Sequence, residues 1–237
     1  MLQALIFDCD GVLVDTERDG HRVAFNQAFQ EKGLPIEWDA ALYGELLRVG
    51  GGKERMRHFF DSQGWPGGVE DRDAFILEMH KLKTARFMQI IESGQLPLRP
   101  GVKRIVDEAI AAGVTLAVCS TSNEKAVNAV VDVMLGAERK AKFAGIFAGD
   151  MAKMKKPDPE IYHLAKTKLN LDPAKCMVIE DSRNGLLAAK AADMNCLVTK
   201  SCYTHEEDFS EADAVFNELG DSPNINVAIE NIQELVR

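Results

Sequence analysis

The chain has 237 residues, 46% hydrophobic and 27% charged, enough for one large globular domain or a core with a smaller insertion. A net charge of −9 argues against non-specific nucleic-acid binding, and an anionic substrate would need a local cluster of cations or a bound metal. No apolar run is long enough to span a membrane, and no signal peptide is expected.

The run Ala4-Leu5-Ile6-Phe7 predicts a buried strand of a parallel sheet. It stops at Asp8-Cys9-Asp10-Gly11-Val12. Parallel sheets bind ligands at the carboxyl ends of their strands. Two carboxylates there concentrate negative charge that a divalent cation relieves, or supply a nucleophile beside a second carboxylate acting as acid and base. Gly11 allows the tight turn that follows.

From about Thr16 to Gly94 the pattern is helical. His21–Lys32 carries Val23, Ala24, Phe25, Ala28 and Phe29 at helical spacing. Ala40–Leu47 and Glu54–Phe60 predict two more helices, and Asp73–Ile91 a long one. Gly33-Leu34-Pro35, Gly50-Gly51-Gly52 and Gly64-Trp65-Pro66-Gly67-Gly68 separate them. From Leu96 strand and helix alternate. Strands are expected at Val114–Cys119, Gly145–Ala148, Lys175–Ile179, Cys196–Thr199 and Ala214–Phe216. Helices are expected at Val102–Ala112, Asn123–Leu135, Pro159–Leu169 and Arg183–Ala192, with a last one around Val227–Leu235. This alternation implies an α/β fold, a doubly wound parallel sheet with a Rossmann-like core at 1–15 and 96–237. The α-helical block at 16–95 is a second domain inserted after the first strand.

The five cysteines, Cys9, Cys119, Cys176, Cys196 and Cys202, form no CxxC pair and read as reduced, buried thiols. The carboxylates beside Cys9 should raise its pKa and blunt its reactivity.

Polar residues gather where the predicted strands end: Asp8 and Asp10, then Ser120-Thr121-Ser122, then Lys155-Lys156-Pro157-Asp158-Pro159, then Glu180-Asp181-Ser182. Each has a plainer role open to it. Thr121 and Glu124 match a capping box, Asp181 and Ser182 suit a helix cap, and Lys153, Lys155 and Lys156 suit a solvated surface. Their conjunction on one sheet edge favours a phosphate-and-metal site.

On these motifs the chain resembles the haloacid dehalogenase-like phosphatases over nearly its whole length. Asp8-Cys9-Asp10-Gly11-Val12 resembles their first motif and Ser120 the second. Lys156-Pro157-Asp158-Pro159 resembles the third and Glu180-Asp181-Ser182 the fourth. The resemblance implies that Asp8 attacks phosphorus and Asp10 serves as acid and base. Ser120 holds phosphoryl oxygens and Lys156 neutralises them, being the lysine directly before the proline. It implies Mg2+ held by Asp8, the Asp10 carbonyl and Asp181, with Glu180 beside them, directly or through water.

Asp15-Thr16-Glu17 resembles the start of the family's cap. Relatives usually place a histidine three residues after that glutamate, whereas His21 comes four after Glu17. Gly52 and Lys53, at the start of a cap helix, suit a phosphate remote from the reaction or a plain turn. Lys83 and Arg86 are further cap cations or the solvated face of the long helix. Together with Leu96–Gly101 and Val118–Ser122, these segments resemble the CbbY-type group, including its plant and algal plastid branch. That implies a sugar-bisphosphate substrate, xylulose-1,5-bisphosphate being characteristic, contacted by Glu17, His21, Gly52, Lys53, Lys83, Arg86, Thr121 and Ser122. It also implies repair of a Rubisco inhibitor in the chloroplast stroma, with a cytoplasmic location otherwise. A β-phosphoglucomutase-like mutase and a non-catalytic sugar-phosphate sensor are the alternatives. The acidic surface and intact cap fit a monomer without nucleic-acid or membrane partners.

Overall fold

The computed structural model describes residues 1–49 and 51–236. Gly50, the first residue of the predicted glycine breaker, lies outside the described residues, as does Arg237. The chain forms two compact units, Met1–Asp15 with Leu96–Arg237, and Thr16–Gln95.

The first unit is built on six parallel strands: β1 Ala4–Phe7, β2 Thr115–Ser120, β3 Phe143–Ala148, β4 Cys176–Glu180, β5 Asn195–Thr199 and β6 Ala214–Phe216, in the order β3-β2-β1-β4-β5-β6. This is the doubly wound parallel sheet that the alternation predicts. β1 lies centrally, Phe7 opposite Val118 on one side and Ile179 on the other. Asp8 continues the pairing, its N–H donating to the Ile179 carbonyl at 2.9 Å. The chain runs outward from β1 through β2 and β3, then crosses to β4 on the far side of β1. Such a reversal of winding opens a crevice at the carboxyl ends of the strands.

Both faces of the central strands are buried, which explains why they read as continuous apolar runs. Ala4, Ile6, Ala117, Cys119, Cys176, Val178 and Cys196 pack with Ile161, Tyr162, Leu186 and Ala189. Those partners come from α8, Glu160–Leu169, and α9, Arg183–Ala191. Further helices belong to each unit. In the first unit these are α5 Val102–Ala111, α6 Glu124–Val130, α7 Ala137–Lys140 and α10 Ile229–Leu235. The predicted helix Asn123–Leu135 is α6 continued by a π-helical turn, Val131–Leu135, and the short α7 was not expected.

The capping assignments shift. Asn123, not Thr121, caps α6, its side chain accepting from Lys125 N–H at 3.0 Å. Ser182 caps α9 through Gly185 N–H at 3.2 Å, leaving Asp181 free of that duty.

The second unit holds α1 Arg22–Glu31, α2 Ala40–Leu46, α3 Gly52–Gln63 and α4 Arg72–Glu92. Asp39 and Asp71 cap α2 and α4. Its core is aromatic: Trp38 lies 4.7 Å from Phe25 and 4.9 Å from Phe29 between ring centroids, with Tyr43 and Phe59 around it and Phe60 edge-on to Phe29. Asn26 fixes the Trp38 backbone from both sides, donating to its carbonyl at 2.9 Å and accepting from its N–H at 2.8 Å.

Candidate active site

Four strand ends of the first unit converge. Lys156, on the crossover between β3 and β4, turns inward until its side chain is only 7% exposed. Its ammonium donates to Asp8 Oδ1 at 2.7 Å, Glu180 Oε1 at 2.6 Å and the Cys119 carbonyl at 3.0 Å. Lys155 points elsewhere, donating to the Gly149 and Ala152 carbonyls. The solvated-surface reading therefore holds for Lys155 and fails for Lys156, because two buried carboxylates draw that ammonium in.

Asp8, Glu180 and Asp181 each offer a carboxylate oxygen, all within 4.8 Å of one another, and all three residues are buried. Burial pushes the Asp8 carboxyl up from 3.8 to about 7; Lys156 pulls it down, and Glu180 and Asp10 push it up again. Burial, then Asp8 and Glu180, hold Asp181 well above the usual carboxylate range, against the pull of the Ser201 hydroxyl and Arg99. For Lys156, burial lowers the pKa, but the two carboxylates more than offset it and the ammonium is held above the ordinary lysine range. One buried lysine thus stands against three acids, a balance that favours a divalent cation.

The backbone makes room for those acids. Gly11 has φ +79°, and a Cβ there would lie 2.0 Å from Asp181 Oδ2. A Cβ on Gly185 would lie 1.9 Å from Glu180 Oε2. Neither atom could exist without moving a carboxylate, so both glycines form part of the cradle. An all-oxygen, buried acidic donor set of this kind fits Mg2+.

Asp10 lies outside that three-residue cluster and is partly exposed. Its Oδ2 accepts from the Ser122 hydroxyl, and Ser122 N–H donates to Ser120 Oγ at 3.1 Å. Ser120 is buried at the end of β2, whereas Thr121 is exposed. Thr121 lines a pocket of about 620 Å³ with Asn123, Gly149 and Lys155.

Three residues of the first unit carry no signal as site residues in the sequence. Tyr162, on α8, reads as an ordinary core aromatic, yet its hydroxyl donates to Glu180 Oε1. Gly185 reads as a helix weakness. Arg99 precedes Pro100 in what reads as a linker, but its guanidinium gathers four backbone carbonyls, those of Gly11, Thr199 at 3.0 Å, Lys200 at 2.6 Å and Asn217 at 2.8 Å. It ties the loop after β1 to the loops after β5 and β6.

In the second unit the extra residue between Glu17 and His21 has a visible outcome. Thr16–His21 is a π-helical turn, a wider coil that absorbs one residue without breaking the helix. Gly20 is required there, since a Cβ would lie 2.7 Å from the Phe87 ring. His21 stacks on that ring at 3.8 Å, and its Nδ1 lies 2.8 Å from Lys83 Nζ. Lys83 is buried, its ammonium 4.8 Å from the Phe25 ring centroid and 5.1 Å from that of Phe87. It does not belong to a solvated face. Burial first, then Lys83, Arg55 and His80, hold the His21 imidazole well below its usual range, so it is neutral. Glu17 accepts from Tyr43 Oη at 2.6 Å, and Tyr43 Oη accepts from Arg55 at 2.8 Å. Gly52 opens α3 and Lys53 is exposed in its first turn. Arg86 stands apart: it bonds Glu31 and Gln89 and lines a groove of about 480 Å³ with Gln27 and Gln30.

Residues 2–193 match the model of the haloacid dehalogenase-like hydrolase family, and the chain belongs to that family. It is an enzyme of the phosphatase kind. It is 58% identical to a CBBY-like protein of Arabidopsis thaliana over 224 residues, covering 93% of this chain and 70% of that one. It is 41% identical to protein CbbY of Cereibacter sphaeroides over 224 residues, covering 93% and 95%. The crystal structure of a CbbY mutant from Rhodobacter sphaeroides in complex with xylulose-1,5-bisphosphate matches with a TM-score of 0.78 at 38% identity, covering 94% of this chain and 97% of that one.

Proposed function

We propose that this chain is a Mg2+-dependent phosphatase of sugar bisphosphates, converting xylulose-1,5-bisphosphate to xylulose 5-phosphate and phosphate. The observation that carries the reading is Lys156, bridging Asp8 and Glu180 beside Asp181 at the open edge of the sheet. That arrangement suits an anionic nucleophile meeting an anionic phosphoryl group. The bisphosphate bound to the structurally similar CbbY supports the choice of substrate.

Asp8 attacks phosphorus through a carboxylate oxygen and forms an aspartyl phosphate. Asp10, steadied by Ser122, gives its proton to the departing sugar oxygen. The same carboxylate then takes a proton from the water that attacks the aspartyl phosphate. Ser120 and the N–H of Thr121 hold phosphoryl oxygens, and Lys156 balances their charge. Asp8, Asp181, the Asp10 carbonyl and Glu180 would hold Mg2+, which when bound supplies further positive charge to the phosphoryl group.

The helical unit Thr16–Gln95 is assigned the role of specificity cap. Its polar residues Glu17, His21, Gly52, Lys53 and Lys83 recognise the sugar and the phosphate that is not cleaved; Arg86 joins them only by leaving Glu31. A plastid location accompanies this reading, as the resemblance to the plant and algal branch implies.

Phosphate release from a panel of sugar mono- and bisphosphates tests the assignment. Xylulose-1,5-bisphosphate should exceed the other substrates in kcat/KM by about 10²-fold, the scale of one well-held charged group. Equal, slow turnover across the panel overturns the substrate and leaves the phosphatase. No turnover of any phosphate ester overturns both.

A further inference from the structure

The geometry points to Tyr162 as a positioning residue for Lys156: its hydroxyl holds Glu180 so that Lys156 is free to turn toward the phosphoryl group. The inference rests on the phosphatase reading. Lys156 spends its three N–H donors on Asp8, Glu180 and the Cys119 carbonyl. It therefore meets an incoming phosphoryl oxygen only by giving up one of these partners.

Releasing Glu180 is costly in a site this dry. Glu180 is fully buried, and Oε1 is the oxygen that Lys156 contacts. A buried carboxylate oxygen stripped of its donor loses the full worth of a charged hydrogen bond. Tyr162 removes that obstacle. Its hydroxyl donates to the same Oε1, so the oxygen stays satisfied when Lys156 leaves. The ring serves too, its centroid 5.2 Å from Lys156 Nζ, a favourable distance for an ammonium over an aromatic face.

The surroundings hold Tyr162 still. It is fully buried within the core cluster on one sheet face. Its helix is bound to the lysine loop by Glu160, whose carboxylate accepts the N–H groups of Lys153 at 3.0 Å and Met154 at 2.8 Å. Tyr162 and Lys156 therefore keep a common frame while the ammonium turns.

The test separates the donor from the ring that carries it. Tyr162→Phe removes only the hydroxyl, and 4-fluorophenylalanine at the same position restores bulk without a donor. 4-Aminophenylalanine restores an N–H donor. Measured quantities are kcat, KM, the melting temperature and the affinity for orthovanadate, a mimic of the transferred group, by calorimetry in Mg2+. For both donor-free proteins, kcat and vanadate affinity should fall together, roughly tenfold, with KM within about twofold. The amino variant should recover most of both. The inference fails if Tyr162→Phe binds vanadate as wild type does, or if the fluoro variant restores it, since packing would then be the cause. Should Tyr162→Phe not fold, the fluoro and amino proteins decide by the same comparison. A wild type inactive on every phosphate ester would instead remove the phosphatase reading.

Discussion

Gly185→Ala adds one methyl group at the most crowded point of the acidic cluster. The new Cβ would lie 1.9 Å from Glu180 Oε2 and 2.1 Å from its Cδ. Non-bonded heavy atoms rest at about 3.5 Å, so the carboxylate must retreat by roughly 1.6 Å or α9 must lift from β4. Either response pulls Oε1 away from Lys156 and Tyr162, whose donors converge on it. Overpacking of this kind costs about 1–3 kcal/mol. For a chain of this length that lowers the melting temperature by roughly 2–12 °C. A displacement of about 1 Å at a reacting centre is worth on the order of 10² in rate. Phosphate release, thermal melting and far-ultraviolet circular dichroism on the purified variant measure all three consequences. Gly33→Ala is the control. A Cβ there meets nothing within 4 Å, so its φ of +66° alone gives a cost of about 1 kcal/mol, without loss of turnover. Wild-type kcat in Gly185→Ala would refute the idea that this glycine is kept for Glu180.

Stabilisation by Mg2+ should depend on pH. The Asp8 carboxyl is raised from 3.8 to about 7 in the folded protein. Its favourable contribution is therefore complete below pH 4 and lost as pH rises through 7. The melting-temperature gap between Mg2+ and EDTA should be small at pH 5 and several degrees wider at pH 8; a gap independent of pH counts against the charged cluster. Lys83→Met exchanges a buried ammonium among aromatic rings for an apolar side chain of similar volume. Stability should hold within about 1 kcal/mol. KM for the bisphosphate should rise at least tenfold with kcat nearly unchanged, and unchanged KM would remove Lys83 from substrate binding. Arg99→Lys keeps the charge but cannot reach the carbonyls of Gly11, Thr199, Lys200 and Asn217 together. Urea unfolding should register a loss of about 2–4 kcal/mol, a few hydrogen bonds' worth.

Much of the core was legible because a parallel sheet advertises itself. Strands buried on both faces must be apolar throughout, so β1, β2, β4 and β5 interrupt the helical periodicity plainly. The polar residues at their ends, Asp8, Ser120, Glu180 and Asp181, then fall on one edge by topology alone. The same logic could separate Lys156 from Lys155 only through family resemblance, because adjacent lysines look alike until the backbone aims one inward. Residues acting through another side chain left no mark. Tyr162 occupies a position any core aromatic would fill, and Gly185 a position where alanine would suit an isolated helix better.

The sequence by itself determined the order of strands and helices, the acidic edge and the place where the helical unit is inserted. These follow from local periodicity and from the fixed hand of the strand–helix–strand crossover. Only the tertiary structure decided how the charges are shared. It placed one ammonium between Asp8 and Glu180, emptied the space at Gly11 and Gly185 for two carboxylates, and coiled the extra residue before His21 into a π turn beside Lys83. Each of these outcomes depends on distances between residues far apart in the chain. Burial then makes those distances matter, because an unpaired charge without water is costly enough to fix its partners.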